Sequence, residues 1–317
     1  MRTSLKHQDF LNSYFKLNVL RKHKLKKQKK KVTKTKKIAI ISDIHGNFTA
    51  FERVVADAKK EGVDEYWFLG DLLMPGPGTN SILELLDSLN APIKLRGNWD
   101  DFLFEDILPI SKAYIDEPQT TYIVELYKYI YNHLDSKYLK EMRQWPIYSQ
   151  TTISGFNIVL AHNYPKKNFG HELLPYAEQK NFDELLFDKP FDIAIYGHTH
   201  HQLMRTSSKD QLIINPGSIG QPYTAWDKFS ADRRAQYVIL TFDKTSYRGI
   251  DFRKVSYSID DELAFAKTNE LPFYELYERI FTEGKAFTHN NDALNEIIAK
   301  YNYKSDVLTY LKHLEND

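Results

Sequence analysis

Side chains of types that can bind metal ions follow five short apolar runs of the sequence. The first run, residues 38–42, is followed by Asp43 and His45, with Gly46 in the turn after them. The other four runs are followed by Asp71, Asn98, His162, and the pair His198 and His200. Carboxylate, amide and imidazole groups are ligands for Mn, Fe, Zn or Mg. One Asp-x-His turn alone is an ordinary polar turn, but seven such side chains at five run ends favour a metal site.

The apolar runs have the length and composition of buried strands, and helical patterns separate the first three. Strands are predicted at 38–42, 66–69 and 92–95, with amphipathic helices at 48–58 and 81–89, which indicates a mostly parallel sheet. The second half is richer in strands, predicted at 156–160, 191–196, 211–214, 236–242 and 250–255, the last two alternating as antiparallel strands do. Ligand sites of open α/β sheets lie at the carboxyl ends of the strands. We therefore expect the seven side chains to meet at one edge.

Three segments flank or interrupt this pattern. Residues 1–37 are predicted to be a basic, disordered tail, and residues 38–258 the main domain. Residues 101–148 are predicted to be a helical insertion in that domain, whose tyrosines either pack in the core or form a wall for a flat substrate group. Residues 259–317 have amphipathic helical patterns and are predicted to form a C-terminal helical cover.

The charge is distributed unevenly along the chain. The net charge is +1, but residues 1–37 contain 14 Lys or Arg residues and one acidic residue, Asp9. The remainder is acidic, which argues against a general nucleic-acid-binding surface. The basic tail is expected to be a solvated segment or a start misassigned upstream of the native one, with contact to RNA or to an anionic membrane as the alternative.

The absence of Cys removes thiolate chemistry and is compatible with a cytoplasmic protein. No secretory signal and no apolar run long enough to cross a membrane are apparent.

The ordered motifs resemble those of the calcineurin-like metallophosphoesterase family. They are Asp43-x-His45, Gly70-Asp71, Gly97-Asn98, His162, and Gly197-His198-x-His200. The resemblance spans most of residues 38–255 and implies an α/β fold, a four-layer α/β/β/α sandwich. It also implies an enzyme, a metal-dependent hydrolase with two divalent ions, Mn or Fe first and Zn, Co or Mg as alternatives.

The resemblance further implies how the ligands are divided between the two ions. Asp43, His45 and His200 complete one site, and Asn98, His162 and His198 complete the other, with Asp71 as the bridge. Among them Asp43, Asp71, Asn98 and His162 are expected to be catalytic, by holding ions that activate a bridging hydroxide to attack phosphorus.

Additional motifs narrow the expected substrate. The run 215–222, NPGSIGQP, is similar to a bacterial branch of the family, and the combination of 70–76, 97–100 and 234–237 is similar to streptococcal asymmetric diadenosine tetraphosphate hydrolases. The expected function is therefore hydrolysis of nucleotide phosphoanhydrides, with diadenosine tetraphosphate split into ATP and AMP. The alternatives are a phosphodiesterase acting on cyclic nucleotides or other esters, and a non-catalytic scaffold of the same fold.

One position departs from the family pattern. Many members have His after the Gly-Asn pair, where it assists the leaving group, and here that residue is Trp99. Either the leaving group is already good, as in a polyphosphate, or another group such as His201 serves. Trp99 can stack on a nucleobase or simply pack. Cations expected near a polyphosphate substrate are Lys167, Arg233 and Arg234, although each is also a plausible surface charge.

Overall fold

The computed structural model describes residues 35–104, 107–186 and 190–315. Its strands are β1 (Lys36–Ile41), β2 (Glu65–Phe68), β3 (Ile93–Lys94), β4 (Tyr148–Ile153), β5 (Phe156–Ala161), β6 (Ile193–Tyr196), β7 (Gln202–Thr206), β8 (Leu212–Pro216), β9 (Ala235–Phe242) and β10 (Tyr247–Val255). Its helices are α1 (Phe48–Lys60), α2 (Asn80–Asp87), α3 (Asn98–Asp101), α4 (Ile107–Ala113), α5 (Pro118–His133), α6 (Ser136–Met142), α7 (Gln179–Asp183), α8 (Asp227–Ser230), α9 (Ile259–Thr268), α10 (Tyr274–Glu283), α11 (Asn291–Tyr301) and α12 (Tyr303–Leu314).

The strands form two five-stranded mixed sheets. The first has the order β10-β9-β1-β2-β3, and the second has the order β4-β5-β6-β8-β7. In each sheet three neighbouring strands run parallel, β1-β2-β3 and β5-β6-β8, while the remaining strands pair antiparallel. The strands predicted at 38–42, 66–69 and 92–95 correspond to β1, β2 and β3. Their predicted parallel arrangement is therefore confirmed for that part of the sheet.

Alternation along the strands produces the four layers of the predicted sandwich. On β1, Ile38 and Ile40 pack in a core shared with Leu160 of β5, which lies between the sheets. Ala39 and Ile41 face the opposite way, into a core shared with the helices. Residues two apart on a strand share a face, so one strand contributes to both cores. Helix α7 and the loops beside it cover the second sheet, completing the α/β/β/α order.

Two strands were not predicted, and both lie at sheet edges. In β4 the residues alternate between exposed and half-buried, and most of the strand is polar. In β7 no residue is fully buried. Edge strands have fewer apolar neighbours, so their sequences lack the apolar run that identifies a central strand.

The helices within 101–148 pack on the C-terminal helices. Tyr122 of α5 contacts the ring of Phe273 edge-on at 4.9 Å, and Val124 packs against Val307 and Leu311 of α12. The tyrosines of α5 therefore contribute to the core, which is the packing interpretation of that segment. The described residues from Lys36 onward form one compact unit. Of the predicted tail, residues 1–34 lie outside the described residues, while Lys36 and Lys37 are the first residues of β1.

Every helix in the described ranges is too short or too polar to span a membrane.

Candidate metal centre

All seven predicted ligand residues lie just beyond the carboxyl ends of strands. Asp43 and His45 follow β1, Asp71 follows β2, and Asn98 follows β3. His162 follows β5, and His198 and His200 follow β6. The strands belong to both sheets, so the side chains approach one another across the end of the sandwich. The side chains of Asp43, Asp71 and His162 are almost completely buried.

The turns that present these residues are strained. Asp43, His45, Asp71, His198 and His200 all have positive φ values, between 52° and 64°. Such a conformation costs an L-residue about 1–3 kcal/mol and persists where the surroundings impose it. Here the Asp43 and His45 amides donate to the carbonyl oxygens of Gly70 and Asp71, both at 3.0 Å. The turn after β1 is thereby fixed on the turn after β2.

Asp43, His45 and His200 form the first group, whose ligand atoms lie within 4.8 Å of one another. The Nδ1 atoms of His45 and His200 are 2.7 Å and 2.6 Å from the carbonyl oxygens of Met74 and Gln221. We assign Nδ1 as the donor in both rings, which leaves a lone pair on each Nε2. These two Nε2 atoms are only 3.0 Å apart, and Asp43 Oδ1 is buried with no hydrogen-bond partner among the described residues. Facing lone pairs and an unpartnered carboxylate oxygen fit a bound cation.

Asp71, His162 and His198 form the second group, also with ligand atoms within 4.8 Å of one another. His162 Nε2 lies 3.3 Å from Asp71 Oδ2 and 3.2 Å from Asn98 Oδ1, which brings Asn98 to this group. The His162 Nδ1 is 2.9 Å from the Leu69 carbonyl oxygen, again favouring a free Nε2. Asp71 Oδ2 is also 3.7 Å from His45 Nε2. One carboxylate oxygen is thus within 4 Å of imidazoles from both groups.

The surrounding charges keep the two carboxylates ionised. Burial alone would raise the pKa of Asp43, but the His200, His162 and His45 imidazoles lower it below its usual range. The pKa of Asp71 is lowered in the same way, against burial, by His162 and His45. Burial and the nearby His162 lower the pKa of His198 to about 4, so this imidazole is neutral near pH 7. Against the effect of burial, the Asp71 and Asp43 carboxylates raise the pKa of His162 to about 9 and also raise the pKa of His200. Binding of a divalent ion would therefore release protons from these two imidazoles.

Asp100 was not predicted as a functional residue, although it holds both Asp71 and Gly97 in position. Its carboxylate is fully buried and accepts hydrogen bonds from the backbone amides of Asp71 (2.9 Å), Leu72 (3.0 Å) and Gly97 (2.9 Å). Burial and the Asp71 charge raise its pKa to about 7. The signal in the sequence was an Asp two residues after Asn98, but its partners depend on the tertiary arrangement of two turns.

We expect Asp100→Asn to lower kcat/KM by about 10–100-fold, the usual effect of disturbing a residue that orients metal ligands. The amide has a single acceptor oxygen, and its NH₂ would face backbone N–H donors. The measurement is steady-state kinetics together with Mn²⁺ affinity, because a purely structural role would not change metal affinity in the folded variant. Asp260→Asn, an exposed carboxylate at the start of α9, is the matched control. Unchanged Mn²⁺ affinity in Asp100→Asn would contradict this role.

The four predicted substrate contacts are placed differently from one another. Trp99 packs edge-on against His45, with ring centroids 5.9 Å apart, and its backbone amide donates to Asp71 Oδ1 at 2.8 Å. Lys167 pairs with Glu172 at 2.6 Å, and the Arg234 guanidinium is bidentate on Asp232 at 2.8 Å. Only Arg233 of these four lines the large cavity beside the metal groups.

That cavity has a volume of 620 Å³ and is lined by His198 and His200. Its walls come from the loops after β5, β6 and β8, from the last turn of α10, and from the residues that follow α10 up to 289. His201 lines it as well, with Nδ1 2.5 Å from the Thr199 carbonyl oxygen and its ring edge-on to Tyr223. The candidate ligands therefore open onto a space large enough for a nucleotide.

Residues 37–245 match the family model of the calcineurin-like phosphoesterase superfamily domain. The chain belongs to the calcineurin-like phosphoesterase superfamily. The family prediction made from the motifs is thus confirmed, as is the α/β/β/α fold class. The family and the two Asp/His groups together indicate a binuclear divalent metal site, and the protein is a metal-dependent phosphoesterase.

The chain is similar to several other proteins over most of its length. An uncharacterized protein of Methanocaldococcus jannaschii is 28% identical over 258 residues, 77% of this chain and 97% of the relative. The crystal structure of a hypothetical protein from Pyrococcus horikoshii has a TM-score of 0.59 at 20% identity, covering 77% of this chain and 97% of that one. A metallophosphoesterase from Sphaerobacter thermophilus has a TM-score of 0.55 at 23% identity, covering 78% and 100%. The two structures share the fold of this phosphoesterase.

Proposed function

We propose that this phosphoesterase hydrolyses nucleotide phosphoanhydrides, with diadenosine tetraphosphate cleaved asymmetrically into ATP and AMP. The observation that carries the proposal is the 620 Å³ cavity, which opens from His198 and His200 toward cationic and aromatic side chains. Arg233 and Lys285 are the cations, and Tyr176 and Tyr223 are among the aromatics. Phosphates are bound by such cations, and bases stack on such rings.

We assign the ion ligands as two sets joined by one carboxylate. Asp43, His45 and His200 would hold one ion, Asn98, His162 and His198 the other, and Asp71 both. Two bound divalent ions supply an activated water for attack on phosphorus and offset the negative charge of the phosphoryl oxygens. We propose that both ions are Mn or both are Fe, because the donors are oxygen and imidazole nitrogen without thiolate.

The chain itself orients these ligands and restricts the leaving group. The carbonyl oxygens of Met74, Gln221 and Leu69 fix three imidazole rings by accepting from Nδ1. Trp99 stands where the family pattern described above has a His that assists the leaving group, and its ring packs against His45. An indole N–H does not act as an acid near neutral pH, so a poor alkoxide leaving group would go unassisted. A phosphoanhydride has a good leaving group and needs no such acid.

The remaining alternatives differ in substrate and in what the cavity would be expected to recognise. A phosphodiesterase for cyclic nucleotides, or a phosphomonoesterase, would use the same ions but needs fewer cations in the cavity. A non-catalytic scaffold is disfavoured because all seven ligand positions are occupied by competent side chains. The proposed location is the cytoplasm, where nucleotides are abundant, and the proposed partner is a nucleotide rather than a membrane or a nucleic acid.

The test is a metal and substrate panel. Metal-depleted protein is restored with Mn, Fe, Co, Zn or Mg and assayed by product chromatography on diadenosine tetraphosphate, cyclic AMP, AMP and bis(p-nitrophenyl) phosphate. We expect ATP and AMP from diadenosine tetraphosphate, at a higher rate than any ester is cleaved. Production of two ADP molecules would contradict asymmetric cleavage. Equal rates on the tetraphosphate and on bis(p-nitrophenyl) phosphate would contradict the preference for anhydrides.

A further inference from the structure

One wall of the cavity comes from outside the family domain. The match to the family ends at residue 245, whereas Tyr257, Ile280, Phe281, Lys285 and His289 all line the cavity. The metal groups therefore belong to the part shared with other superfamily members. The wall formed by residues 280–289, here called the C-terminal wall, lies outside the residues that match the family model.

Buried contacts fix the C-terminal wall beside the metal groups. Glu262 of α9 is fully buried, accepts the Thr49 amide at 3.0 Å, and accepts the Tyr277 hydroxyl of α10 at 2.8 Å. The same hydroxyl lies against Gly76, where a Cβ atom would approach it to 2.8 Å and the His45 carbonyl oxygen to 2.5 Å. Helix α10 is thus held on the turn that presents His45. A wall fixed in this way can position a ligand relative to the ions.

Arg233 is held at the end of α10, and among the described residues its guanidinium makes one hydrogen bond, through Nε. Its Nε donates to the Phe281 carbonyl oxygen at 3.1 Å. The guanidinium lies so close to Gly284 that a Cβ atom there would overlap Nη2, and Gly284 has φ +70°, where glycine is favoured. In the part of the chain that the structure describes, no carboxylate oxygen lies within 4.0 Å of either Arg233 or Lys285. Asp232, the nearest acidic neighbour in sequence, is bound by Arg234 and Lys254 instead.

Two cations without a carboxylate partner, facing one cavity, favour an anion between them. An arginine whose Nη atoms remain free can bind phosphate oxygens in bidentate fashion, and a lysine adds a flexible point charge. Tyr223, which is 44% exposed, lies on the lip of the same cavity and offers a ring for a base. The two ions would neutralise the phosphoryl group under attack. Arg233 and Lys285 would then interact with the negative charge of phosphates farther along the substrate.

We propose that Arg233 and Lys285 bind the phosphates beyond the one that is attacked, so that the C-terminal wall selects substrates with a polyphosphate chain. This inference rests on the proposed function and extends it from the reaction to the residues that set substrate length. These two side chains, rather than the ions, would bind every phosphate after the first. The affinity of the protein for a substrate should therefore rise with the number of phosphates in that substrate.

The test measures inhibition of bis(p-nitrophenyl) phosphate hydrolysis by inorganic tripolyphosphate and by orthophosphate, with free Mn²⁺ held constant. In the Mn²⁺-loaded wild-type protein we expect tripolyphosphate to bind at least about 10-fold tighter than orthophosphate, since charged contacts contribute several-fold each. Lys285→Ala and Arg233→Ala should each reduce that ratio, and the double variant should bring it to about 1. Lys267→Ala, an exposed lysine of α9 away from the cavity, should keep the wild-type ratio.

The inference would be overturned if the wild-type protein bound tripolyphosphate and orthophosphate about equally. It would also be overturned if the double variant kept the wild-type preference for tripolyphosphate. Lys285 is exposed, so its variant stays informative if Arg233→Ala is unstable. A failure of the proposed function can be distinguished from a failure of this inference. If the wild-type protein prefers tripolyphosphate but leaves diadenosine tetraphosphate intact, that substrate is refuted while the role of the C-terminal wall in binding polyphosphate stands.

Discussion

Replacing Asp71 by Asn is expected to lower kcat/KM by on the order of 10³-fold, with a comparable loss for Asp43→Asn, as for removal of a central electrostatic group in an active site. Asp71 Oδ2 lies 3.3 Å from His162 Nε2 and 3.7 Å from His45 Nε2, so its charge serves both groups. An amide keeps the shape but removes the charge that offsets the ions. A single imidazole loss, as in His200→Asn, should cost less because the carboxylates persist.

The measurement pairs kinetics with metal content determined on the same samples. We expect Asp71→Asn to retain fewer than two ions per chain and to keep a folded circular dichroism spectrum. Without metal the variant should unfold no more easily than the metal-depleted wild type, because a buried neutral amide costs less than a buried charge. Full activity in Asp71→Asn, or a larger loss in His200→Asn than in either Asp variant, would contradict this role for the carboxylates.

A methyl group at Gly97 is expected to be nearly as damaging, although it changes no ligand. Gly97 has φ −95°, which any residue adopts, so backbone strain is not the reason for glycine here. A Cβ atom at this position would lie 2.1 Å from Asp71 Oδ1 and 2.5 Å from the Asp71 amide nitrogen. Because Asp71 cannot stay in place beside that methyl, we expect Gly97→Ala to reduce kcat by about 10²-fold, the effect of a 1 Å misplacement.

Gly155→Ala provides the contrast. Gly155 has φ +85° and no atom within 4 Å of an added Cβ, so its substitution strains the backbone without touching the metal groups. It should lower the free energy of unfolding by about 1 kcal/mol and leave kcat unchanged. Kinetics and thermal unfolding of both variants separate displacement of Asp71 from loss of stability. If Gly97→Ala retained wild-type kcat, the contact between Gly97 and Asp71 would not limit activity.

The fold and the placement of the candidate ligands at strand ends were accessible from the sequence because both depend on local signals. An apolar run followed by Asp-x-His or Gly-Asp marks the end of a strand, and parallel strand ends meet at one edge. The family, the fold class and the hydrolase activity predicted in this way are confirmed. The grouping of Asp43 with His200, 157 positions along the chain, follows from how the two sheets pack and came from the family resemblance rather than from spacing.

The substrate side of the site was less accessible, for a physical reason. Arg233 and Arg234 are adjacent and chemically identical, yet one faces the cavity and the other binds Asp232. Adjacent residues near the start of a strand point in opposite directions, so the choice depends on which face is covered. Lys285 lies in the loop after α10, where the sequence has no motif, and it reaches the cavity through tertiary packing of α10. Asp100 likewise acquires its role from amides contributed by two separate turns.

The most direct test is the anomalous scattering of crystals of the protein reconstituted with Mn²⁺. Two peaks about 3.5–4 Å apart are expected, as in other two-metal sites. One should lie among Asp43, His45 and His200, the other among Asn98, His162 and His198, with Asp71 in contact with both. A single peak, or peaks away from these side chains, would contradict the binuclear centre on which the proposed chemistry depends.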